Sequence, residues 1–494
     1  MNNSASPNDI PPLDAIIVGS GFSGLCIAIR MQQAGMSYVI LEQADSIGGT
    51  WRDNTYPGAA CDVPSNLYCF SFAPNAKWSR TYPRQSEIRE YMNACADNFG
   101  IRPQLHLGKQ VSSARFDAGK KLWRVEVNAG AEYFQARTLV MGVGGLSRPR
   151  MPDIAGLDTF GGEVFHTARW RHDVSLAGKR VGIIGTGASA IQVVPEIADK
   201  VEQLEVFQRT PPWIIFKPDF AIAKWHRGLR ARLPMLQKIN RAYTYLWHES
   251  WAIGFTRFPG MLKAVQKLAG LFLWLKIRDK KLREKLKPDY VIGCKRVLLS
   301  NNYFPALKKP NVTVVTDAIE CITPTGIRTR DGCEHALDII IASTGFLAAE
   351  AGSPFPVFGI DNRELNALWK NNPSAYLGLA VSGFPNFFIM TGPNTALGHN
   401  SMIYMIESQA NYVMSALKQL GQSPNSAFDI PQRVQDEYNE TLQKRLSKTV
   451  WNSGGCSSWY LAGNGVNTTL WPDFTFVYRH KTRRFDVEHY QRLV

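Results

Sequence analysis

The chain has 494 residues, of which 45% are hydrophobic and 20% charged, the composition of a globular protein with room for two or three domains. The stretch 224–287 supplies most of the net charge of +15, with 16 Lys and Arg against 3 Asp and Glu, but no nucleic-acid-binding motif accompanies it, so nucleic acid is not an expected partner. The first residues lack the features of a signal peptide, so none is expected, and no apolar run reaches membrane-spanning length. The eight cysteines contain no Cys-x-x-Cys pair, so neither a zinc knuckle nor a redox dithiol is indicated and a reducing cytoplasm is expected.

The first predicted unit is a strand, a glycine turn, a helix and a second strand. A buried strand over 15–18 leads into Gly19-Ser20-Gly21-Phe22-Ser23-Gly24, a helix follows over 25–33, and a strand over 38–41 ends in Glu42. The glycines allow a tight turn and the close approach of a pyrophosphate to the helix N-terminus. An acid at that strand end accepts both ribose hydroxyls of an adenosine without a 2′-phosphate, which predicts FAD.

The stretch 48–62 carries more special backbone positions than a surface loop needs. The pair Gly48-Gly49 precedes Trp51, a Tyr-Pro-Gly turn over 56–58 and a lone aspartate, Asp62. This pattern, Gly-x-Trp-x4-Tyr-Pro-Gly-x3-Asp, resembles a signature of the type I Baeyer-Villiger monooxygenases. The resemblance implies an enzyme that uses FAD, NADPH and O2.

A second motif, Phe160-x-Gly162-x3-His166-x3-Trp170, follows a strand over 138–145 and a Pro-rich crossover. It resembles the fingerprint of the same family in the linker before the NADPH domain, although the family usually continues with Pro or Asp where this chain has Arg171. Relatives that oxygenate nitrogen and sulfur carry Tyr or Phe at the position of Trp170, so this tryptophan favours the ketone oxidisers. We interpret His166 as an organiser of the hinge, because a histidine beside apolar residues is more often structural than catalytic.

The order of strand, glycine turn, helix and strand returns over 181–207. The turn is Gly185-Thr186-Gly187-Ala188-Ser189-Ala190, the predicted helix covers 191–198, and the strand over 204–207 leads to Arg209 and Thr210. Arg209 takes the place that Glu42 has in the first unit. A guanidinium there favours a 2′-phosphate, so this unit predicts NADPH, and the two units together predict a two-dinucleotide flavoenzyme.

From 213 to 288 the chain is helical and basic, with apolar residues at helical spacing over 261–272. The favoured interpretation is a helical insertion whose apolar face roofs the active site and whose lysines are solvated. The alternative is a patch that contacts a membrane surface and collects lipophilic substrate.

The segment 292–298 looks like the family's active-site stretch. The resemblance implies that Lys295 contacts the 2′-phosphate and that Arg296 lies over the flavin, paired with Asp62. In these enzymes reduced flavin and O2 give a C4a-peroxide that attacks a ketone only while deprotonated, so a permanently protonated cation is the expected stabiliser.

Two further positions come from the C-terminal part. A helix is predicted to begin near Ser401 with its N-terminus towards the flavin, and Met402 matches a family position beside the isoalloxazine. The stretch 454–460 resembles the mobile loop whose tryptophan, here Trp459, meets the nicotinamide side of NADPH.

These patterns predict an α/β protein with two Rossmann-like dinucleotide-binding domains and a helical insertion. The predicted boundaries are 1–150 and 347–494 for the FAD domain with the C-terminal active-site loop, 151–212 and 291–346 for the linker and NADPH domain, and 213–290 for the insertion. The predicted catalytic residues are Arg296 and Asp62, and no metal is predicted. The residues expected at FAD are Gly19, Gly21, Phe22, Ser23, Gly24, Glu42, Thr50, Trp51, Asp62 and Met402, and those expected at NADPH are Gly185, Thr186, Gly187, Ala188, Ser189, Ala190, Arg209, Thr210, Lys295, Arg296 and Trp459.

The expected function is conversion of ketones, with aliphatic ketones favoured, to esters or lactones through a C4a-peroxyflavin. The nearest alternative is a flavin-containing monooxygenase that oxygenates nitrogen or sulfur. A pyridine nucleotide-disulfide reductase would need a redox cysteine pair, and the spacing of Cys61 and Cys69 does not match that group. A non-enzymatic FAD-binding protein would leave the NADPH signals unexplained.

Overall fold

The computed structural model of the protein describes residues 12–347, 352–370, 372–456 and 458–494. Within these ranges, no helix combines the length and the apolar character needed to cross a membrane. The strands are β1 (Leu13–Val18), β2 (Tyr38–Leu41), β3 (Leu105–His106), β4 (Val111–Asp117), β5 (Leu122–Val127), β6 (Glu132–Met141), β7 (Glu163–His166), β8 (Arg180–Ile184), β9 (Gln203–Phe207), β10 (Ile214–Ile215), β11 (Leu298–Leu299), β12 (Val312–Val315), β13 (Ile319–Thr323), β14 (Gly326–Thr329), β15 (Glu334–Ala336), β16 (Ile339–Ala342), β17 (Val357–Phe358), β18 (Phe387–Ile389), β19 (Ala427–Asp429) and β20 (Gln491–Leu493). The helices are α1 (Phe22–Gln33), α2 (Thr50–Asp53), α3 (Gln85–Asn98), α4 (Ala190–Ile197), α5 (Lys224–Arg232), α6 (Pro234–Ala252), α7 (Leu262–Lys276), α8 (Lys280–Lys285), α9 (Tyr303–Ala306), α10 (Leu365–Trp369), α11 (Met402–Gly421), α12 (Gln432–Leu446), α13 (Val450–Ser453) and α14 (Thr475–Lys481).

The first sheet combines strands from both ends of the chain. Its order is β17-β4-β5-β6-β1-β2-β3, and β18 also pairs with β6. The first half of the long strand β6 is antiparallel to β5, and its second half is parallel to β1 and β18. The carboxyl end of β1, inside this sheet, leads into the first glycine turn, which is where open α/β sheets bind their ligands.

The second sheet has five parallel strands in the order β12-β9-β8-β16-β7. Every residue of β16 is buried, as expected of a parallel strand covered on both faces. β8 leads into the second glycine turn, and β9 ends two residues before Arg209. The α/β fold with two Rossmann-like units, predicted from the sequence, is confirmed.

Helices α5 to α8 form the predicted insertion. Strand β10 precedes these helices and β11 follows them. The two strands pair in parallel, so the two ends of the insertion lie side by side. One face of α7 buries Leu262, Ala269 and Leu273, but Leu268 and Leu271 on the same helix are exposed. The apolar residues over 261–272 are therefore only partly turned inward.

One feature was not predicted from the sequence. Cys294 and Cys456 form a disulfide across a separation of 162 residues. A pairing over that distance leaves no local spacing pattern, so a search for Cys-x-x-Cys could not find it.

Candidate active site

The first glycine turn has no room for side chains at its ends. Gly19 has a φ of +98°, and a Cβ there would lie 2.8 Å from the carbonyl oxygen of Gly142. A Cβ on Gly24 would lie 1.8 Å from the carbonyl oxygen of Gly19. The turn therefore folds back tightly onto α1, where the free N–H groups of residues 21–24 face the predicted pyrophosphate site.

Glu42 is buried at the end of β2, beside this turn. Its Oε2 accepts hydrogen bonds from the backbone N–H of Ser20 at 2.9 Å and from the Ser20 hydroxyl at 2.7 Å. Its Oε1 lies 2.9 Å from Nη1 of Arg52, and Arg52 also pairs with Asp53 at 2.8 Å. The carboxylate is thus fixed and charge-balanced where the ribose is expected, and Arg52 is a residue that the sequence analysis missed.

The stretch 48–62 packs directly on the first glycine turn. Gly49 has a φ of +52°, and a Cβ there would lie 3.2 Å from Cα of Gly21. In α2, which follows, the indole N–H of Trp51 donates to the hydroxyl of Tyr68 at 3.0 Å. Trp51 is therefore fixed next to the predicted flavin site, with Thr50 beginning the same helical turn.

The same stretch also contacts the second nucleotide-binding unit. Gly58 has a φ of +82°, and a Cβ there would lie 2.7 Å from the carbonyl oxygen of Gln192 in α4. The Tyr56 hydroxyl donates to Oε1 of Gln192 at 2.9 Å, and Nε2 of Gln192 donates to the carbonyl of Ala60 at 2.9 Å. The Tyr-Pro-Gly turn is therefore the junction between the two units.

In the second glycine turn, Gly185 has no room for a side chain, whereas Gly187 borders open space. Gly185 has a φ of +109°, and a Cβ there would lie 2.4 Å from the carbonyl oxygen of Ser343. A Cβ on Gly187 would meet no heavy atom within 4 Å, which leaves space for a phosphate. The Thr186 hydroxyl donates to the carbonyl of Thr210 at 3.1 Å and fixes the turn to the segment that carries Arg209.

Two cations converge at the end of β9. Burial, together with the charge of Arg209, lowers the pKa of Lys295. The Lys295 ammonium also lies 5.0 Å from the ring centroid of Tyr290. Like charges brought together in this way fit a site for an anion such as a 2′-phosphate.

Arg296 and Asp62 form an ion pair, although 234 residues separate them in the sequence. Nε of Arg296 donates to Oδ2 of Asp62 at 2.6 Å, and Nη1 donates to the carbonyl of Leu397 at 3.2 Å. The carboxylate raises the pKa of Arg296 against the effect of burial. Burial alone would raise the pKa of Asp62, but the charge and hydrogen bond of Arg296, together with the charge of Lys217, outweigh it and lower that pKa. Both groups are therefore ionised at neutral pH.

Lys217 and Tyr460 complete this cluster. No sequence motif pointed to Lys217, and Tyr460 ends the stretch 454–460, in which a role was predicted for Trp459 alone. The Lys217 ammonium lies 3.4 Å from the carbonyl oxygen of Cys61, next to Asp62, and burial lowers the pKa of the lysine. Tyr460 is buried within electrostatic reach of Arg296 and Asp62, and burial raises its pKa to about 12. Only the tertiary structure brings these side chains to the pair.

The predicted C-terminal loop is attached to the active-site stretch. The disulfide joins Cys456 to Cys294, which directly precedes Lys295. The backbone N–H of Val291 also donates to the carbonyl of Gly454 at 3.2 Å. Trp459 is 47% exposed and its ring centroid lies 4.7 Å from that of Tyr460, so it lies at the surface of the cluster.

The helix predicted near Ser401 is α11. The Ser401 hydroxyl accepts from the backbone N–H of Ile403 at 3.2 Å, which caps the helix N-terminus. Met402, its first residue, is half-buried and packs against an apolar cluster that includes Trp451 and Tyr460. The start of α11 therefore faces the same region as Arg296, whose guanidinium contacts Leu397 just before it.

The residues of the linker motif over 160–170 have structural roles. His166 ends β7, and its Nδ1 accepts from the backbone N–H of Ala168 at 3.0 Å. Burial lowers the pKa of His166 to about 4, so the ring is neutral at pH 7. Trp170 packs edge-on against Phe165, with 5.2 Å between ring centroids, whereas Arg171 is exposed and pairs with Asp173 at 2.6 Å.

Known proteins resemble this chain along its whole length. It is 45% identical to a Baeyer-Villiger monooxygenase of Pseudomonas aeruginosa over 492 residues, which is 99% of this chain and 93% of the relative. The chain belongs to the Baeyer-Villiger monooxygenase family. Residues 16–228 of this family member also match the family model described as pyridine nucleotide-disulphide oxidoreductase.

Solved structures of other Baeyer-Villiger-type enzymes have a similar fold. OTEMO in complex with FAD and NADP superposes with a TM-score of 0.87 at 28% identity, covering 98% of this chain and 99% of that one. The closed form of cyclohexanone monooxygenase gives a TM-score of 0.85 at 28% identity, covering 95% and 96%. The family predicted from the two sequence motifs is confirmed.

A disulfide reductase would need a redox-active cysteine pair, and Cys61 and Cys69 do not have the properties of such a pair. In this Baeyer-Villiger monooxygenase family member, Cys61 and Cys69 are buried and not bonded to each other. Burial raises the pKa of both thiols, which keeps them protonated and poorly nucleophilic. What the chain shares with the reductases is the pair of dinucleotide-binding units.

Proposed function

We propose that the protein is an FAD-dependent Baeyer-Villiger monooxygenase that consumes NADPH and O2 and converts ketones, aliphatic ones among them, to esters or lactones. The observation that carries the proposal is the ionised Arg296–Asp62 pair, with 2.6 Å between Nε and Oδ2. This pair lies where the stretch 48–62, which packs on the first glycine turn and on α4, meets the segment that carries Lys295. Family membership and the cofactors in the structure of OTEMO support it.

The residues present fit both cofactors. The first turn, with Glu42 at its side, suits the pyrophosphate and the unphosphorylated ribose of FAD. The open space at Gly187 and the converging charges of Arg209 and Lys295 suit NADPH. When bound and reduced by NADPH, the flavin would supply the activation of O2.

The chain's own contribution is electrostatic. Arg296 keeps its proton because Asp62 raises its pKa. A fixed guanidinium can stabilise the negative charge that develops on the ketone oxygen as its carbon becomes tetrahedral, and it needs no rearrangement to do so. Asp62 and the carbonyl of Leu397 position that guanidinium from two sides.

Product analysis tests the function. The purified protein would be incubated with NADPH, O2 and a panel of linear ketones, cyclic ketones and a thioether, and the products identified by mass spectrometry. We expect esters or lactones that are one oxygen atom heavier than their ketones. Sulfoxide as the only product would assign the protein to the heteroatom oxygenases and contradict the proposal.

The 2′-phosphate site gives a second test. We expect Arg209→Ala to raise the KM for NADPH by about 10- to 100-fold, the loss of one or two charge-assisted hydrogen bonds, with little change in the KM for NADH. Lys200→Ala is the matched control, because Lys200 is exposed in the same unit beyond the opposite end of α4. Steady-state rates of NADPH and NADH oxidation at varied nucleotide concentration measure the effect. An equal loss for NADPH and NADH would show that Arg209 does not contact the phosphate.

A further inference from the structure

The exposed apolar side chains of this protein are concentrated in the insertion. Among the described residues, 16 of the 25 exposed large hydrophobic side chains lie between Phe216 and Leu275. Single exposed hydrophobic residues are ordinary, but a concentrated group marks a surface that another phase or molecule covers.

On α6 these side chains form one stripe. Met235, Ile239, Tyr243 and Trp247 follow one another at intervals of four residues, Leu246 lies next to Trp247, and each of the five is more than half exposed. The opposite face of α6 packs inward, where Glu249 accepts from the hydroxyl of Thr475 at 2.8 Å. The helix is therefore amphipathic with an apolar stripe towards the solvent, the reverse of a helix that only covers a core.

Helices α5 and α7 repeat the arrangement. Trp225 and Leu229 are exposed four residues apart on α5. On α7, Lys263, Lys267, Leu271 and Leu275 follow at intervals of four, so cations and apolar side chains share one exposed row. The mixture of large aromatic, aliphatic and lysine side chains is that of helices which lie at a membrane–water interface.

The charge of the insertion is predominantly positive. The stretch 224–287 contains 16 Lys and Arg and only 3 Asp and Glu, a net charge of +13, and one of the three acids, Glu249, is buried. Arg257 pairs with Asp473 at 3.3 Å, and within the described parts of the chain the other cations of this stretch form no ion pair. Arg230 is buried as well, but the exposed lysines of the stretch are free to meet an external anionic surface.

We propose that the exposed faces of α5, α6 and α7, called here the insertion face, bind the surface of an anionic lipid bilayer. The apolar stripes would enter the headgroup region and the lysines would contact the lipid phosphates. The structure thus supports the membrane alternative that the sequence analysis did not favour. This inference is independent of the reaction that the protein catalyses.

A second copy of the chain is a poorer occupant of the insertion face. In a symmetric dimer the same patch lies on both subunits, so the exposed lysines of α5 and α7, such as Lys224, Lys263 and Lys267, would face the same lysines across an apolar contact. Like charges opposed in this way cost affinity. An anionic bilayer offers apolar and negative groups together, which matches both properties of the face.

Vesicle co-sedimentation with the full flavin-bound chain tests the proposal. We expect binding to vesicles of phosphatidylglycerol and phosphatidylcholine, little binding to phosphatidylcholine alone, and loss of binding as the salt concentration rises. Lys263→Gln with Lys267→Gln should weaken binding by about fivefold for each lysine removed. Trp247→Ser and Leu271→Ser should each weaken it by about tenfold.

Matched controls make the result decisive. Lys120→Gln with Lys308→Gln and, separately, Leu368→Ser change exposed side chains outside the insertion and should leave vesicle binding unchanged. Unaltered flavin absorbance and melting temperature would show that each variant is folded. Equal binding of the insertion-face variants and the unchanged chain would overturn the proposal. So would a dimer in sedimentation velocity that Trp247→Ser dissociates and that does not bind vesicles.

Discussion

Arg296→Ala is expected to reduce ester or lactone formation by about 100-fold or more, the scale on which single transition-state stabilisers act, while NADPH oxidation continues. The reason is that the guanidinium is the group positioned to oppose negative charge on the ketone oxygen, whereas Arg209 and Lys295 lie on the nucleotide side. Reducing equivalents that no longer reach the ketone should appear as hydrogen peroxide. Parallel assays of NADPH consumption, ester formation and peroxide release measure the three quantities.

Two controls separate the role of Arg296 from the simple loss of an ion pair. Arg180 pairs with Asp338 at 2.8 Å with a similar exposure, but it lies at the start of β8, far along the strand from the glycine turn, so Arg180→Ala should retain activity. Arg296→Lys keeps a positive charge but loses the planar geometry that contacts Asp62 and Leu397 together, and its activity should be intermediate. Full ester formation by Arg296→Ala would show that the charge is stabilised elsewhere.

Gly24→Ala is expected to abolish stable FAD binding. A Cβ at this position would lie 1.8 Å from the carbonyl oxygen of Gly19, and a backbone atom cannot move aside as a flexible side chain can. The glycine turn would have to open, which would withdraw the helix N-terminus from the pyrophosphate. Visible flavin absorbance of the purified protein and its melting temperature are the measurements.

Gly421→Ala is the control for this substitution. Gly421 ends α11, and a Cβ there would meet no heavy atom within 4 Å. We expect full flavin content and a stability change of at most about 1 kcal/mol, the difference in helix propensity between glycine and alanine. A Gly24→Ala protein with the flavin content of the Gly421→Ala protein would mean that the turn tolerates the added methyl group.

Local patterns were sufficient where the chemistry is local. The two glycine turns, the acid after β2 and the arginine after β9 each depend on residues close in sequence, and the fold that they predict is confirmed. The family predicted from the motifs over 48–62 and 160–170, which are also local, is confirmed as well. The start of α11 at Met402 was also predicted within a residue, because a serine cap is a local signal. The functional roles of Arg296, Asp62 and the cofactor-contacting residues stay predictions, as do the domain boundaries.

Other features were decided by contacts between distant segments. The place of Lys217 and Tyr460 beside the Arg296–Asp62 pair, and the disulfide between Cys294 and Cys456, depend on how separate loops meet in space. The periodicity of 261–272 showed an amphipathic helix, but periodicity gives the angle between side chains and not the direction in which a face points. The sequence by itself therefore determined which nucleotide-binding units form and which family the chain joins. Only the tertiary structure decided which side chains surround the ion pair and which face of the insertion meets the solvent, because both depend on packing between segments far apart in the chain.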